Sequence, residues 1–153
     1  MHSLYDIHDK WEDLVEKAYS EGYDALTDHE KVWFNIQCLI QAVNGGGFIS
    51  YYSNAEAYAV GDCVRALDVI GAANTRRLVE RVNGLFEHGV PKDMEERNME
   101  MDHWPMSNKA VLNDVEIAYF TQEEDVEEFL VNFIVETGIG ALSANSGGIQ
   151  WGE

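Results

Sequence analysis

Apolar residues recur along the first half of the chain at the i, i+3, i+4, i+7 spacing of a helix buried on one side. Leu4, Ile7, Trp11, Leu14, Val15 and Ala18 set a first helix. TDHE predicts the start of a second, with Thr27 as N-cap and Glu30 reaching back in a capping box. Val32, Ile36, Leu39, Ile40 and Val43 supply its buried stripe. This helix is expected to stop at NGGG, where Asn44 and three glycines permit the left-handed or strained backbone of a helix exit. FISYYSN then reads as a tight apolar and aromatic connector. A third helix is predicted from Glu56 to Ile70, with Val60, Val64 and Leu67 inward and Gly71 just past its end. Asn74 is expected to cap a fourth, which carries Leu78, Val79, Val82, Leu85 and Phe86 on one face.

After Pro91, PKDMEERNMEMD reads as a short acidic helix. Ser107 can cap another running to about Phe120, and Thr121 or Gln122 opens a last long helix that ends at Gly138. No period-two alternation, internal repeat or long linker competes with this pattern. The expected fold is therefore all-α, a single-domain compact helical bundle of about six to seven helices over residues 1–153. The glycine-rich tail from about 138 is either a loosely attached end or a strap held by Ile149 and Trp151.

Charge changes the picture. The net charge is −18 on a chain with 46% apolar residues, which is a folded composition and not that of a disordered acidic tail. The acids are unevenly placed: residues 1–30 carry net −7, residues 31–91 are neutral, and residues 92–153 carry net −11. After Lys109 there is no Lys, Arg or His, yet nine acids follow, so that stretch cannot neutralise itself by local pairing. In the first helix Asp6 with Lys10, and Asp13 with Lys17, are i, i+4 pairs in the favourable order, which predicts partial neutralisation there. Such a balance argues against direct nucleic-acid binding, because phosphates would be repelled, and favours basic partners.

Other chemistry is sparse. His2, His8, His29, His88 and His103 are scattered, and Asp102 with His103 offers two adjacent residues without a spaced third ligand. NGGGF lacks the Lys-Ser/Thr of a phosphate loop, and QEEDVEE lacks the alternating ligands and glycine of a calcium loop. Neither a catalytic motif nor a cofactor or metal site is expected, so the chain reads as a non-enzyme. Cys38 and Cys63 fall in apolar helical segments, as reduced thiols do. With no apolar run long enough for a signal peptide or a membrane span, a soluble cytoplasmic protein is expected.

The stretch from Asn44 to Phe86 carries a resemblance. NGGGFISYYSN followed by ALDVIGAANTRRLVERVNGLF resembles the signature of a bacterial family that reads N-x-G-G-F, two aromatics, an Asn, then A-L-x-x-I-G-A and a further helix. VPKDMEER fits the same family, and the match covers roughly Leu26 to Phe120. It is a family of unknown function whose characterised member is a DNA-mimic protein. Gly45 departs from the pattern, in which a second polar residue is common, and the connector from Asn54 to Tyr58 is short for it. The resemblance implies an all-helical fold, commonly dimeric, and a function in which an acidic surface occupies the DNA-binding face of a transcriptional regulator. Of the signature itself, Gly46, Gly47, Phe48, Tyr51, Tyr52 and Asn54 are expected to form a corner that only glycine can turn, its aromatics plugging the core; a ligand pocket with tyrosine hydroxyls and an amide is the alternative.

The acid run TQEEDVEEFLVNFI is the strongest candidate surface. On a helix opened at Thr121 or Gln122, Glu123, Glu124 and Asp125 lie in the first turn, where the helix dipole favours carboxylates. Glu127 and Glu128 then stand i+4 from Glu123 and Glu124, a repulsive arrangement that helix formation does not ask for. Val126, Phe129, Leu130, Phe133 and Ile134 fill the opposite arc. Five charges over about 7.5 Å of helix axis approach the charge density of duplex DNA, one per ~1.7 Å. A partner surface is expected first on Glu123, Glu124, Asp125, Glu127 and Glu128, and next on Asp93, Glu95, Glu96, Glu100 and Asp102. The expected partner is a basic DNA-binding protein. An immunity-type inhibitor that binds a toxin is the alternative, and a small-molecule-binding or enzymatic domain built on the glycine-aromatic corner is a third class.

Overall fold

The longest helix organises everything else. In the structure, a computed structural model that describes residues 3–139, α2 (Asp28–Ser53) runs through the middle and packs against α1, α3, α5, α6 and α7. Its start is the predicted capping box: Thr27 Oγ1 accepts from the Glu30 amide at 3.1 Å, and Glu30 Oε1 accepts from the Thr27 amide at 2.9 Å. Ile36, Leu39 and Val43 on its inner stripe are buried.

Around it lie α1 (His8–Glu21), α3 (Val60–Val69), α4 (Ala73–Asn83), α5 (Met94–Asp102), α6 (Met106–Thr121) and α7 (Val126–Thr137), with short 3-10 turns at Tyr5–Ile7, Tyr23–Ala25 and Ala55–Ala59. Seven α-helices and no strand are found among the described residues, an all-α bundle as the apolar spacing predicts. One apolar cluster runs from Ile7 on the first turn to Ile134 on α7. No described helix is long and apolar enough to cross a membrane. The tail expectation for Ile149 and Trp151 lies outside the described residues.

Several local expectations are corrected. NGGG does not end the second helix; it kinks it. Gly47 takes φ 79° and ψ −176°, a conformation open to glycine, and the chain resumes helical geometry so that FISYYS is the last part of α2 and not a connector. The kink strips the Phe48 amide of its intrahelical acceptor, and the Glu116 carboxylate of α6 replaces it at 2.9 Å. The stretch read as the start of the third helix is a 3-10 turn up to Ala59. Asn74 lies inside α4 rather than capping it, and Leu85 and Phe86 follow its end. Ser107 is not a cap, because α6 starts at Met106 directly after Pro105.

The signature aromatics fill the core. Phe48, Tyr51 and Tyr52 are buried, and the Tyr52 hydroxyl donates to the Asn83 side chain. Tyr51 and Tyr52 meet edge to face with centroids 5.1 Å apart, an arrangement that suits the ring quadrupoles.

Candidate acidic interaction surface

The acid run does not form one helix face. α6 continues to Thr121, residues Gln122 to Asp125 connect, and α7 begins only at Val126. Glu123, Glu124 and Asp125 are therefore not in a first turn, and no i, i+4 repulsion links Glu123 and Glu124 to Glu127 and Glu128. The first-turn acids are Glu127 and Glu128 themselves. The two residues that seemed surplus on sequence sit where the dipole favours them, and the others must be explained separately.

Asp125 and Glu124 both cap helices. Asp125 is the N-cap of α7, its Oδ1 accepting from the Glu128 amide at 3.1 Å. Glu124 reaches across to α4: Oε1 accepts from the Asn74 amide at 2.9 Å, and Oε2 from the Thr75 amide at 2.8 Å and the Thr75 hydroxyl at 2.6 Å. Gln122 completes the strap, donating to Thr75 Oγ1 at 3.1 Å and accepting from the Asn74 side chain. A carboxylate on two N-terminal amides is a charge-assisted cap supplied from another part of the chain. Replacing Glu124 with Ala is expected to lower stability by about 1–2 kcal/mol, and with Gln by less, in urea denaturation. An equal loss for both variants would show that charge and not acceptor geometry carries the contact.

The second group divides in the same way. Asp93 is the N-cap of α5, accepting from the Glu96 amide at 3.0 Å, and Glu100 accepts from the Glu87 amide at 2.8 Å. Glu95 and Glu96 lie in the first turn of α5 and are exposed. Asp102 ends that helix, where the dipole disfavours a carboxylate, and no base accompanies it in the last turn. Glu136, which the sequence argument did not single out, is placed in the same way on α7.

What unites these acids is the lack of counter-charge. Among the described residues every ion pair involves residues between His8 and His88: Lys17 with Glu30, Lys31 with Asp24, Arg65 with Asp62, Arg76 with Asp68 and Glu80, and two exposed histidine contacts. No described carboxylate from Asp93 to Glu136 takes part in one. The N-terminal helix also differs from expectation, because Lys17 binds Glu30 at 2.8 Å instead of Asp13, and Asp6 accepts from the Ser3 amide. The predicted pairs Asp6 with Lys10 and Asp13 with Lys17 do not form.

The field of the acids is felt locally. Burial, and then the charges of Glu127 and Asp125, push the Tyr119 phenol up to about 12. Tyr119 and the exposed Phe120 line a groove of about 350 Å³ with Asn44, Glu123, Asp125 and Glu127. Acids and an aromatic ring thus share one opening between α2, α6 and α7.

The family model for DMP19-like protein matches residues 24–137, three quarters of the chain. The chain belongs to the DMP19-like family. This is a DNA-mimic-type family, in agreement with the coarse sense of the sequence resemblance. No curated protein and no solved structure matches the chain.

Within the DMP19-like region, Arg97 is the structural residue that the periodicity could not reveal. Its side chain is fully buried, and it donates to the carbonyls of Tyr52 (2.8 Å), Asn54 (2.6 Å), Pro91 (3.0 Å) and Lys92 (2.8 Å). Burial pulls its pKa below the ordinary guanidinium value, while the carbonyls hold the cation in place. It ties the end of α2 to the loop before α5. Its signal in the sequence was the last letter of VPKDMEER. Glu116 gave no signal at all.

Proposed function

We propose that this DMP19-like protein is a non-enzymatic acidic interaction module that binds a basic DNA-binding protein, a transcriptional regulator or similar, and blocks its access to DNA. The observation that supports this most is the absence of any ion-pair partner, among the described residues, for the carboxylates from Asp93 to Glu136. A folded protein can leave that many charges uncompensated at a cost in self-repulsion, and an outside cation removes the cost. The surface is placed first on Glu123, Asp125, Glu127 and Glu128, with Glu124 beside them, and next on Asp93, Glu95, Glu96, Glu100 and Asp102. Carboxylates would stand opposite the Arg and Lys side chains that otherwise meet phosphates, and the field would speed the encounter. The protein would act as a homodimer in a reducing cytoplasm, which suits the free thiols of Cys38 and Cys63.

The test separates charge from fold. Glu127→Gln with Glu128→Gln leaves the Asp125 cap and the Glu124 strap intact. In a DNA-competition assay with the captured regulator, this pair is expected to weaken binding by about twofold to thirtyfold at low salt, given roughly 0.2–1 kcal/mol for each exposed charge contact. Binding should also fall steeply with added salt. Salt-independent binding, or an unaffected double variant, would remove the mimic reading.

A second reading is favoured by Phe120, which is 57% exposed beside the acids. An immunity-type inhibitor of a toxin needs such an aromatic anchor as well as charge. Phe120→Ala would then cost more binding than the double Gln variant, and the captured partner would be a toxin domain.

A further inference from the structure

α6 carries an outward face without a packing partner among the described residues. Its inward side packs on α2 and α4, with Val115 and Tyr119 buried. At about 100° per residue, Met106, Ala110, Asn113, Ile117 and Phe120 share the opposite arc. All five are exposed, and Met106, Ile117 and Phe120 are three of the ten large hydrophobic side chains exposed among the described residues. A groove of about 370 Å³ lined by Ile49, Leu112 and Asn113 runs beside them. On a chain with 28 acids this arc holds none, and Asp114 and Glu116 flank it on either side. An apolar stripe of this kind on an otherwise charged surface marks an interaction face.

Charge selects what covers it. A basic partner is drawn to the acids of α5 and α7, away from an uncharged stripe, whereas two copies at net −18 each repel one another except on a face free of acids. The stripe is also its own complement. Met106 and Phe120 stand seven residues to either side of Asn113, and the pairs Ala110 with Ile117 and Lys109 with Glu116 straddle it almost symmetrically. In a two-fold contact of antiparallel α6 helices, Met106 therefore meets the partner's Phe120, a sulfur–aromatic contact, and Ala110 meets the partner's Ile117. Lys109 and Glu116 lie on the same flank of the arc, about 20° apart, so each comes opposite the other across the axis. Lys109 is in no ion pair among the described residues, and Glu116 gives only Oε2 to the Phe48 amide. Repulsion sets the orientation. Antiparallel pairing holds the two Phe120 residues, and the acid runs that follow them, about 21 Å apart, two screening lengths at ~0.1 M salt, where parallel pairing sets them side by side.

We propose that the outer arc of α6 is the contact between two copies of this chain, antiparallel about Asn113. The stripe is narrower than the roughly 800 Å² per partner of a standard interface, so the pairing is reversible, with a Kd of about 10 μM. This inference rests on the homodimer of the proposed function only for the existence of a pair. It names the face, and it covers the Phe120 ring that the toxin-inhibitor reading needs exposed.

Sedimentation equilibrium of the full chain from about 1 to 200 μM tests it. A monomer–dimer equilibrium is expected that tightens as salt is raised, because screening relieves the repulsion between copies; a basic partner shows the opposite response. Ile117→Glu and Ala110→Glu are each expected to weaken pairing at least about tenfold, and Lys109→Glu about fivefold, with helicity unchanged by circular dichroism. Val69→Glu, at a similarly exposed apolar position on α3, is expected to change nothing. With a bis-maleimide of about 10 Å reach, matched to the spacing of packed helix axes, Asn113→Cys is expected to link to itself, and Met106→Cys to Phe120→Cys in a mixture but neither alone. A monomer at every concentration and salt would overturn the proposal and give the stripe to the chain's own C-terminal residues or to a different protein. So would a dimer that Ile117→Glu and Ala110→Glu leave intact, or Met106→Cys linking to itself, since these mean another face or a parallel pairing. Glu127→Gln with Glu128→Gln is expected to keep the dimer, so loss of regulator binding in that variant and loss of pairing here are separate results.

Discussion

Replacing Arg97 with methionine is expected to lower stability by about 3–5 kcal/mol. The reason lies in what is left behind. Arg97 is fully buried and serves four carbonyls, so an apolar side chain of similar length strands the acceptors of Tyr52, Pro91 and Lys92 and leaves that of Asn54 with only the Ala57 amide at 3.3 Å. Each stranded buried acceptor costs on the order of 1–3 kcal/mol, reduced where water can enter. For a chain of this size the loss corresponds to a fall in Tm of roughly 6–20 °C. Arg97→Lys retains the charge but not the planar fork, and should recover less than half of the loss. Thermal unfolding of the two variants checks the argument: if lysine restores full stability, charge and not the set of donors holds the end of α2.

Gly47→Ala is the second large effect, about 3–5 kcal/mol from two separable sources. At φ 79° and ψ −176° an alanine is strained by about 1–3 kcal/mol. A Cβ there would also stand 2.4 Å from Glu116 Oε2 and 2.8 Å from Cδ. Glu116 must then swing away, and the Phe48 amide loses its acceptor. In a Glu116→Ala background that second source is already gone, so Gly47→Ala should cost only the backbone strain. Denaturant unfolding of the two singles and the double therefore yields a non-additive cycle; additive losses would mean that Glu116 does not cap the kink.

These two sites mark the boundary of what was legible. The capping box at Thr27 and Glu30, the buried stripe of α2 and the all-helical class follow from residues three or four apart, which the 3.6-residue period brings together whatever surrounds them. Gly47 was also correctly singled out as a backbone device, but its outcome was not: the same freedom that ends a helix can kink one, and the choice depends on the Glu116 carboxylate, 68 residues from the Phe48 amide it accepts from. Asn74 illustrates the opposite error. It is a good cap by residue type, yet α4 starts earlier because Glu124 supplies the cap from across the bundle.

The acid run was read with the wrong phase for the same reason. A helix opened at Thr121 looks reasonable by local preference, and only the docking of Gln122 and Glu124 on Asn74 and Thr75 shows why the connector stays extended up to Asp125. The sequence by itself determined the helical class, the inner stripe of α2 and the excess of acids beyond Lys109 without bases to match, because periodicity and charge are local or additive properties. Tertiary structure alone decided which carboxylates serve distant backbone amides, as Glu116, Glu124 and Glu100 do, and which have no hydrogen-bond or ion-pair partner among the described residues, as Glu123, Glu127 and Glu128 do. A hydrogen bond between groups roughly fifty residues apart exists only once packing has brought them together, and no local rule can assign it in advance.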